Sequence, residues 1–140
     1  LTHDEDERSH LGDWLLANQL TKDKKLVALI ETWQDNASPM LRRWFWYYQA
    51  RLRWTGKTPP PENSADLLDS LEASIRTEVP EVQWAMNFCA GPIGIFEPTL
   101  RARCIKLGKT LGLYKDEPVA KNCTPSYLPE FIRIEVAKRA

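Results

Sequence analysis

Little in this chain suits metal or redox chemistry. Its 140 residues hold three cysteines, Cys89, Cys104 and Cys123, with no Cys-x-x-Cys pair. Zinc and thiol-redox sites need closely spaced ligands, and an odd cysteine count makes a poor disulfide framework. The three read as reduced thiols in a cytoplasmic protein, filling space as small hydrophobes. Histidine is scarce too: His3 and His10 lie in a polar start without a catalytic or metal partner. No metal and no organic cofactor is expected. Long apolar runs are missing, since none approaches the ~18 residues a membrane span needs, so no membrane partner is expected. Net charge is missing as well, with 19 Lys and Arg against 19 Asp and Glu. Indiscriminate nucleic-acid binding is electrostatic, and a neutral chain lacks its driving force.

The charges that are present are sorted along the chain. Residues 1–40 carry eight acids against four bases, and 41–60 carry five bases and no acid. Residues 61–82 carry six acids against one base, and 83–140 nine bases against five acids. Such a bipolar chain can offer one positive face despite its neutral total. The hydrophobic share is 43% and the charged share 27%, which places the chain among globular proteins. The length fits one domain with a real core. The expected division is a polar tail over 1–9 and a single helical domain over 10–140. The acidic opening Leu-Thr-His-Asp-Glu-Asp-Glu-Arg is no signal or transit peptide. It has no initiator Met, so a fragment or processed chain is expected.

Aromatic and basic residues concentrate in Ser38-Pro-Met-Leu-Arg-Arg-Trp-Phe-Trp-Tyr-Tyr-Gln-Ala-Arg-Leu-Arg-Trp54. This stretch has three of the six tryptophans, four arginines and no acid. Ser38 suits a helix N-cap and Pro39 the first helical position. On a helix, Leu41, Phe45, Tyr48 and Leu52 make one apolar stripe, and Met40, Trp44, Tyr47 and Trp54 another. A helix apolar on two sides is sandwiched between neighbours, which leaves the arginines to the remaining surface. Basic residues interleaved with aromatics suit a nucleic-acid surface, and equally a packed helix with a solvated edge.

Helical spacing dominates the rest. Helices are expected near 10–20 and 22–34, then from Pro39 to about Trp54, where Gly56 and the stiff Pro59-Pro60-Pro61 run follow. Asn63 or Ser64 can cap a fourth helix with Leu67, Leu68, Leu71 and Ile75 on one face. Pro80 starts a fifth, which Gly91 and Pro92 should bend or end. Pro98 opens a sixth, closed by Gly112, and a last helix starts near Pro129. Residues from Tyr114 to Pro125 read as an ordered loop. Short, all-round apolar helices at a pair period of about 35–40 residues suggest an all-α, HEAT/ARM-like α-α superhelix of about six or seven helices.

Two segments resemble the AlkD-like family of DNA alkylation repair proteins, which are HEAT-like solenoids. The first is Gly12-Asp-Trp-Leu-Leu-Ala-Asn-Gln-Leu20 with Trp33 and Ser38-Pro-Met-Leu-Arg-Arg-Trp-Phe-Trp46. The second is Glu81-Val-Gln-Trp-Ala-Met-Asn-Phe-Cys89 with Leu111-Gly-Leu-Tyr-Lys-Asp-Glu-Pro-Val-Ala-Lys-Asn-Cys-Thr-Pro125. The resemblance implies excision of cationic alkylated purines from duplex DNA. Such a base is a good leaving group, so the enzyme's task is to stabilise positive charge growing on the sugar. By resemblance Asp13 is the carboxylate that does so and orients water, and Arg43 the arginine that holds the adjacent phosphate. Phe88 falls where a sugar-packing tryptophan is expected, and Ser9 where a second one would be. The DNA-contact set expected is Arg42, Arg43, Trp46 and Phe88, of which the resemblance carries Arg43 and Phe88. Family members are longer, so N-terminal repeats that form part of the DNA-binding surface are expected to be missing.

Each of these residues has a plainer reading. Asp13 would cap the helix ahead of Trp14-Leu15-Leu16. Arg43 would pack its stem beside Trp46, Tyr47, Ala50 and Trp54. Arg42, Arg51 and Arg53 would be surface charges, and the tryptophans mostly core. The function expected first is therefore a DNA glycosylase. The alternatives are a non-catalytic helical-repeat module that binds DNA structure or a protein partner, and a protein-binding scaffold.

Overall fold

A computed structural model describes residues 23–54 and 62–140, and every described regular element is helical. The expected helix at 10–20, the Asp13 site, Ser9, both histidines, Gly56 and the Pro59-Pro60-Pro61 run lie outside the described residues. Six α-helices are described: α1 Lys24–Ile30, α2 Pro39–Trp54, α3 Ser64–Ser74, α4 Pro80–Phe96, α5 Pro98–Leu111 and α6 Leu128–Arg139. A 3₁₀ turn, Ile75–Thr77, extends α3.

Helix α1 is shorter than its apolar spacing suggests. Asp23 caps it, accepting from the backbone N–H of Lys25 at 2.9 Å and of Leu26 at 3.3 Å. At the other end the N–H groups of Thr32 and Trp33 reach back only three residues, to Leu29 and Ile30. The Thr32 hydroxyl also donates to the Leu29 carbonyl, at 2.6 Å. A β-branched residue that bonds its own backbone competes with helix continuation, and the helix stops there.

Helix α2 packs chiefly against α4 and slightly against α1; Met40, Trp44, Tyr47 and Trp54 are only part-buried, and the arginines are not left to the surface. Phe45, Trp46, Tyr48 and Ala50 are buried, and with them Arg43, Gln49 and Arg53. Arg43, Trp46, Ala50 and Arg53 recur at helical spacing and form a deep stripe. Arg53, expected at the surface, has a completely buried side chain. It is satisfied by the Gln49 carbonyl and side chain, by Asn63 and by Ser64. Asn63 stands at the N-cap of α3, yet its side chain serves Arg53 and Gln49 and makes no cap bond. Leu67, Leu68, Leu71 and Ile75 are buried along one face of α3 and its 3₁₀ extension, as their spacing indicates.

Helix α4 is the axis of the molecule. It packs most extensively against α2, then against α5 and α6, and also touches α3 and the 3₁₀ turn. It runs unbroken through Gly91 and Pro92, where the sequence pattern places a bend or an end. A proline inside a helix costs about 3 kcal/mol through its missing donor and its clash with the preceding turn. Here every residue from 89 to 95 is buried, and the packing offsets that cost. Gly91 lies so close to Phe131 of α6 that a Cβ there would meet the ring at 2.7 Å, and Gly94 is pressed likewise onto Ile132. Carbonyls in the last turn are taken by Arg101, which donates to Gly94 at 2.8 Å and Ile95 at 2.9 Å.

Helices α5 and α6 follow the sequence closely. Pro98 stands at the start of α5, and Gly112 ends it in the left-handed region at φ 66°, where its N–H meets the Gly108 carbonyl. Residues 113–127 form the expected non-helical connection, with Tyr114 and Asn122 also at positive φ. The core gathers side chains from α2 to α6, with Trp46, Leu68, Val82, Cys89, Ile93 and Ile132 nearly inaccessible. Cys89 and Cys104 are buried, as small hydrophobes are, whereas Cys123 is exposed. Among the described residues no helix is long and apolar enough to cross a membrane.

Candidate aromatic ligand site

Three helices each send one stripe toward a shared row of rings. Arg43, Tyr47 and Trp54 lie on one side of α2, Trp84 and Phe88 on one side of α4, and Phe131, Glu135 and Arg139 on one side of α6. Spacings of four and seven residues put each set on a single helix face. The packing of α2 and α6 on α4 then joins the faces.

The row has a cation at each end. The Arg43 guanidinium carbon lies 4.9 Å from the centre of the Trp84 ring, and its Nη1 donates to the Glu81 carbonyl at 2.8 Å. Trp84 stacks on Phe88 at 5.2 Å with 10° between planes, and Tyr47 stacks on Phe88 at 5.6 Å. Trp54 continues the row, 6.1 Å from Phe88 and 5.9 Å from Phe131. At the far end Arg139 lies 5.7 Å from the Trp54 centre and 5.2 Å from that of Phe96. Stacked rings and guanidinium-over-ring contacts are favourable geometries for these groups.

A slot of about 170 Å³ opens beside the row, lined by Trp84, Asn87, Phe88, Thr124, Ser126 and Phe131. The loop ahead of α6 is fixed to α4 where Asn87 donates to the Ser126 carbonyl at 2.9 Å. Thr124 reaches Glu135 at 3.3 Å and Lys138 at 3.5 Å. Burial by itself would raise the Glu135 carboxyl pKa, but hydrogen bonds from Arg139 and Lys138 outweigh it and hold the group below its ordinary range. Near the other cation, burial pushes the Tyr114 hydroxyl pKa up, Glu117 adds to that, and the Arg43 charge opposes it.

The residues expected to contact DNA divide between this row and the scaffold. Arg43 and Phe88 come together in the row, with Trp84 bridging them. Arg43 is only 5% exposed, so what it offers is an edge. Arg42 lies elsewhere, in a two-pronged pair with Glu78 at 2.7 and 2.8 Å, and it also donates to the Asn36 and Ala37 carbonyls. The bonds it donates to Glu78 raise its pKa further. Its geometry is that of a clamp between the entry to α2 and the entry to α4. Trp46 is 1% exposed and meets Phe45 edge-on at 5.4 Å. It is a core residue with no ring face to give to a ligand, which corrects its place in the contact set.

Trp54, Trp84, Phe131 and Arg139 are site residues that the sequence does not single out. The local signal was there in the four-residue spacing of Trp84 with Phe88 and of Phe131 with Glu135 and Arg139. The union of those faces depends on which helices pack together, which no local pattern specifies. No protein-family model, curated protein or solved structure matches the chain.

Proposed function

We propose that this chain is a DNA-binding protein of the alkylation-repair type, built as a HEAT-like superhelix, that excises cationic alkylated purines from duplex DNA. The observation that carries the reading is the Arg43–Trp84–Phe88 sequence of contacts, which unites the two described residues implied by the family resemblance. Helices two apart in the chain pack on each other, α2 on α4 and α4 on α6, which is the neighbour rule of a stacked helical array. In this reading Asp13 stabilises the sugar cation and orients water. Arg43 and the aromatic row hold the strand. No cofactor takes part.

The test is release of 7-methylguanine or 3-methyladenine from methylated duplex DNA by this chain. Release that falls at least a hundredfold in Asp13→Asn supports the reading. No release of either base by a folded chain that does bind the DNA sinks the enzymatic half. A non-catalytic DNA-binding module is the second reading, favoured by the slot itself, since none of its six lining side chains is acidic. Salt-dependent binding of undamaged duplex without base release would select it.

A further inference from the structure

We propose that the slot between α4 and the α6 entrance takes a single unpaired nucleobase. At about 170 Å³ it is well under the roughly 300 Å³ at which sites for drug-sized ligands begin, so it suits one planar ring system. Three of its six lining side chains are the aromatics Trp84, Phe88 and Phe131, drawn from two helices. Every base has a flat face to stack on such rings, whatever its identity.

The remaining lining residues are polar and suit a base edge. Asn87 donates one of its two amide N–H groups to the Ser126 carbonyl, which orients the amide and leaves its oxygen to accept and its second N–H to donate. An exocyclic amine of adenine, cytosine or guanine is the matching donor. Charge beside the slot favours a nucleotide over a bare ring. Lys138 and Arg139 both pair with Glu135, so two cations meet one carboxylate and leave one positive charge near Thr124. A paired base cannot use this site, because its faces are covered by its neighbours and its edge is taken by its partner. The base has to leave the stack, at a cost lowest where it is already unpaired.

The proposal rests on the nucleic-acid half of the function above and is independent of the glycosylase chemistry. The experiment is fluorescence anisotropy at low salt with a labelled duplex containing one bulged adenine, the same duplex fully paired, and AMP as competitor. The bulged duplex should bind about tenfold or more tightly than the paired one, consistent with ~1–3 kcal/mol per stacked base. Asn87→Ala should erase most of that preference while leaving paired-duplex affinity unchanged, and Phe131→Leu, which keeps an apolar side chain against Gly91, should erase most of it too. Equal affinity of the unaltered chain for both duplexes overturns the slot and leaves the DNA-binding reading intact. A preference that survives in both variants also overturns it. Binding of AMP as tight as that of the bulged duplex makes this a free-nucleotide site and overturns the proposal as stated. Absence of binding to either duplex overturns slot and DNA reading together.

Discussion

Replacing Arg53 with Met should cost the fold about 3–5 kcal/mol. The guanidinium is fully buried and lies 3.9 Å from the Glu97 carboxylate. Between them Ser64 relays the charge, accepting from Arg53 at 3.0 Å and donating to Glu97 at 2.6 Å. Methionine fills much of the volume of the stem, so the loss is chiefly electrostatic. The Gln49 carbonyl and side chain and the Asn63 side chain lose a charged donor, and Glu97 is left without its counter-charge. Removing one partner of a buried ion pair is worth about 3–5 kcal/mol, against about 5–15 kcal/mol for the stability of a whole domain. Urea unfolding followed by tryptophan fluorescence measures it, with an expected midpoint shift of about 2 M for slopes of ~1–3 kcal/mol/M. Arg53→Met combined with Glu97→Gln should recover at least 1 kcal/mol of the loss, since the orphaned charge is gone too. A single-variant loss below about 1 kcal/mol, or a double variant no more stable than Arg53→Met, would refute the reasoning.

Three further outcomes are expected. Glu135 has a lowered pKa in the fold, so its contribution is complete above the ordinary glutamate value of 4.5 and is lost as pH falls through the lower folded value. Glu135→Gln should therefore cost about 1 kcal/mol at neutral pH and flatten the stability profile below pH 4.5, and an unchanged acid limb counts against the pairing. At Gly108 a Cβ would lie 2.5 Å from the Pro129 ring and 2.8 Å from the Leu128 Cβ, both stiff neighbours. Gly108→Ala should thus destabilise by about 1–3 kcal/mol, even though alanine is the better helix former by about 1 kcal/mol; a raised thermal midpoint would contradict the close approach. Burial pushes the Cys89 and Cys104 thiols up to about 12, while Cys123 is exposed. A thiol reagent at pH 8 should label one thiol quickly and all three only in denaturant, and fast labelling of two in the native state would show the core to be open.

Helix boundaries were legible where the chemistry is local. Pro98 and Gly112 bracket α5, and the spacing of Leu67, Leu68, Leu71 and Ile75 gave the buried face of α3. Pro92 misled, because its local cost is offset by contacts with α5 and α6 that the chain makes only once folded. Arg53 misled for the same reason. Its partners Asn63, Ser64 and Glu97 are distant in sequence, and nothing near Arg53 announces them. In the site, Arg43 and Phe88 were singled out by resemblance and do meet through Trp84. Arg42 and Trp46 were grouped with them because basic and aromatic neighbours look alike on paper. On a helix, adjacent residues point about 100° apart, which turns Arg42 away from Arg43 to Glu78, whereas Trp46 shares the buried stripe of Arg43 and is consumed by the core.

The aromatic row belongs to no single helix. Its rings arrive from α2, α4 and α6, so the row exists only while all three are packed. Any molecule held there has affinity for the folded chain and none for the unfolded one. Occupancy becomes a fastening across the whole domain, adding about 2.7 kcal/mol when the ligand is at a hundred times its Kd. A thermal shift would then register the ligand through the joint between helices, before any chemistry at the site is known.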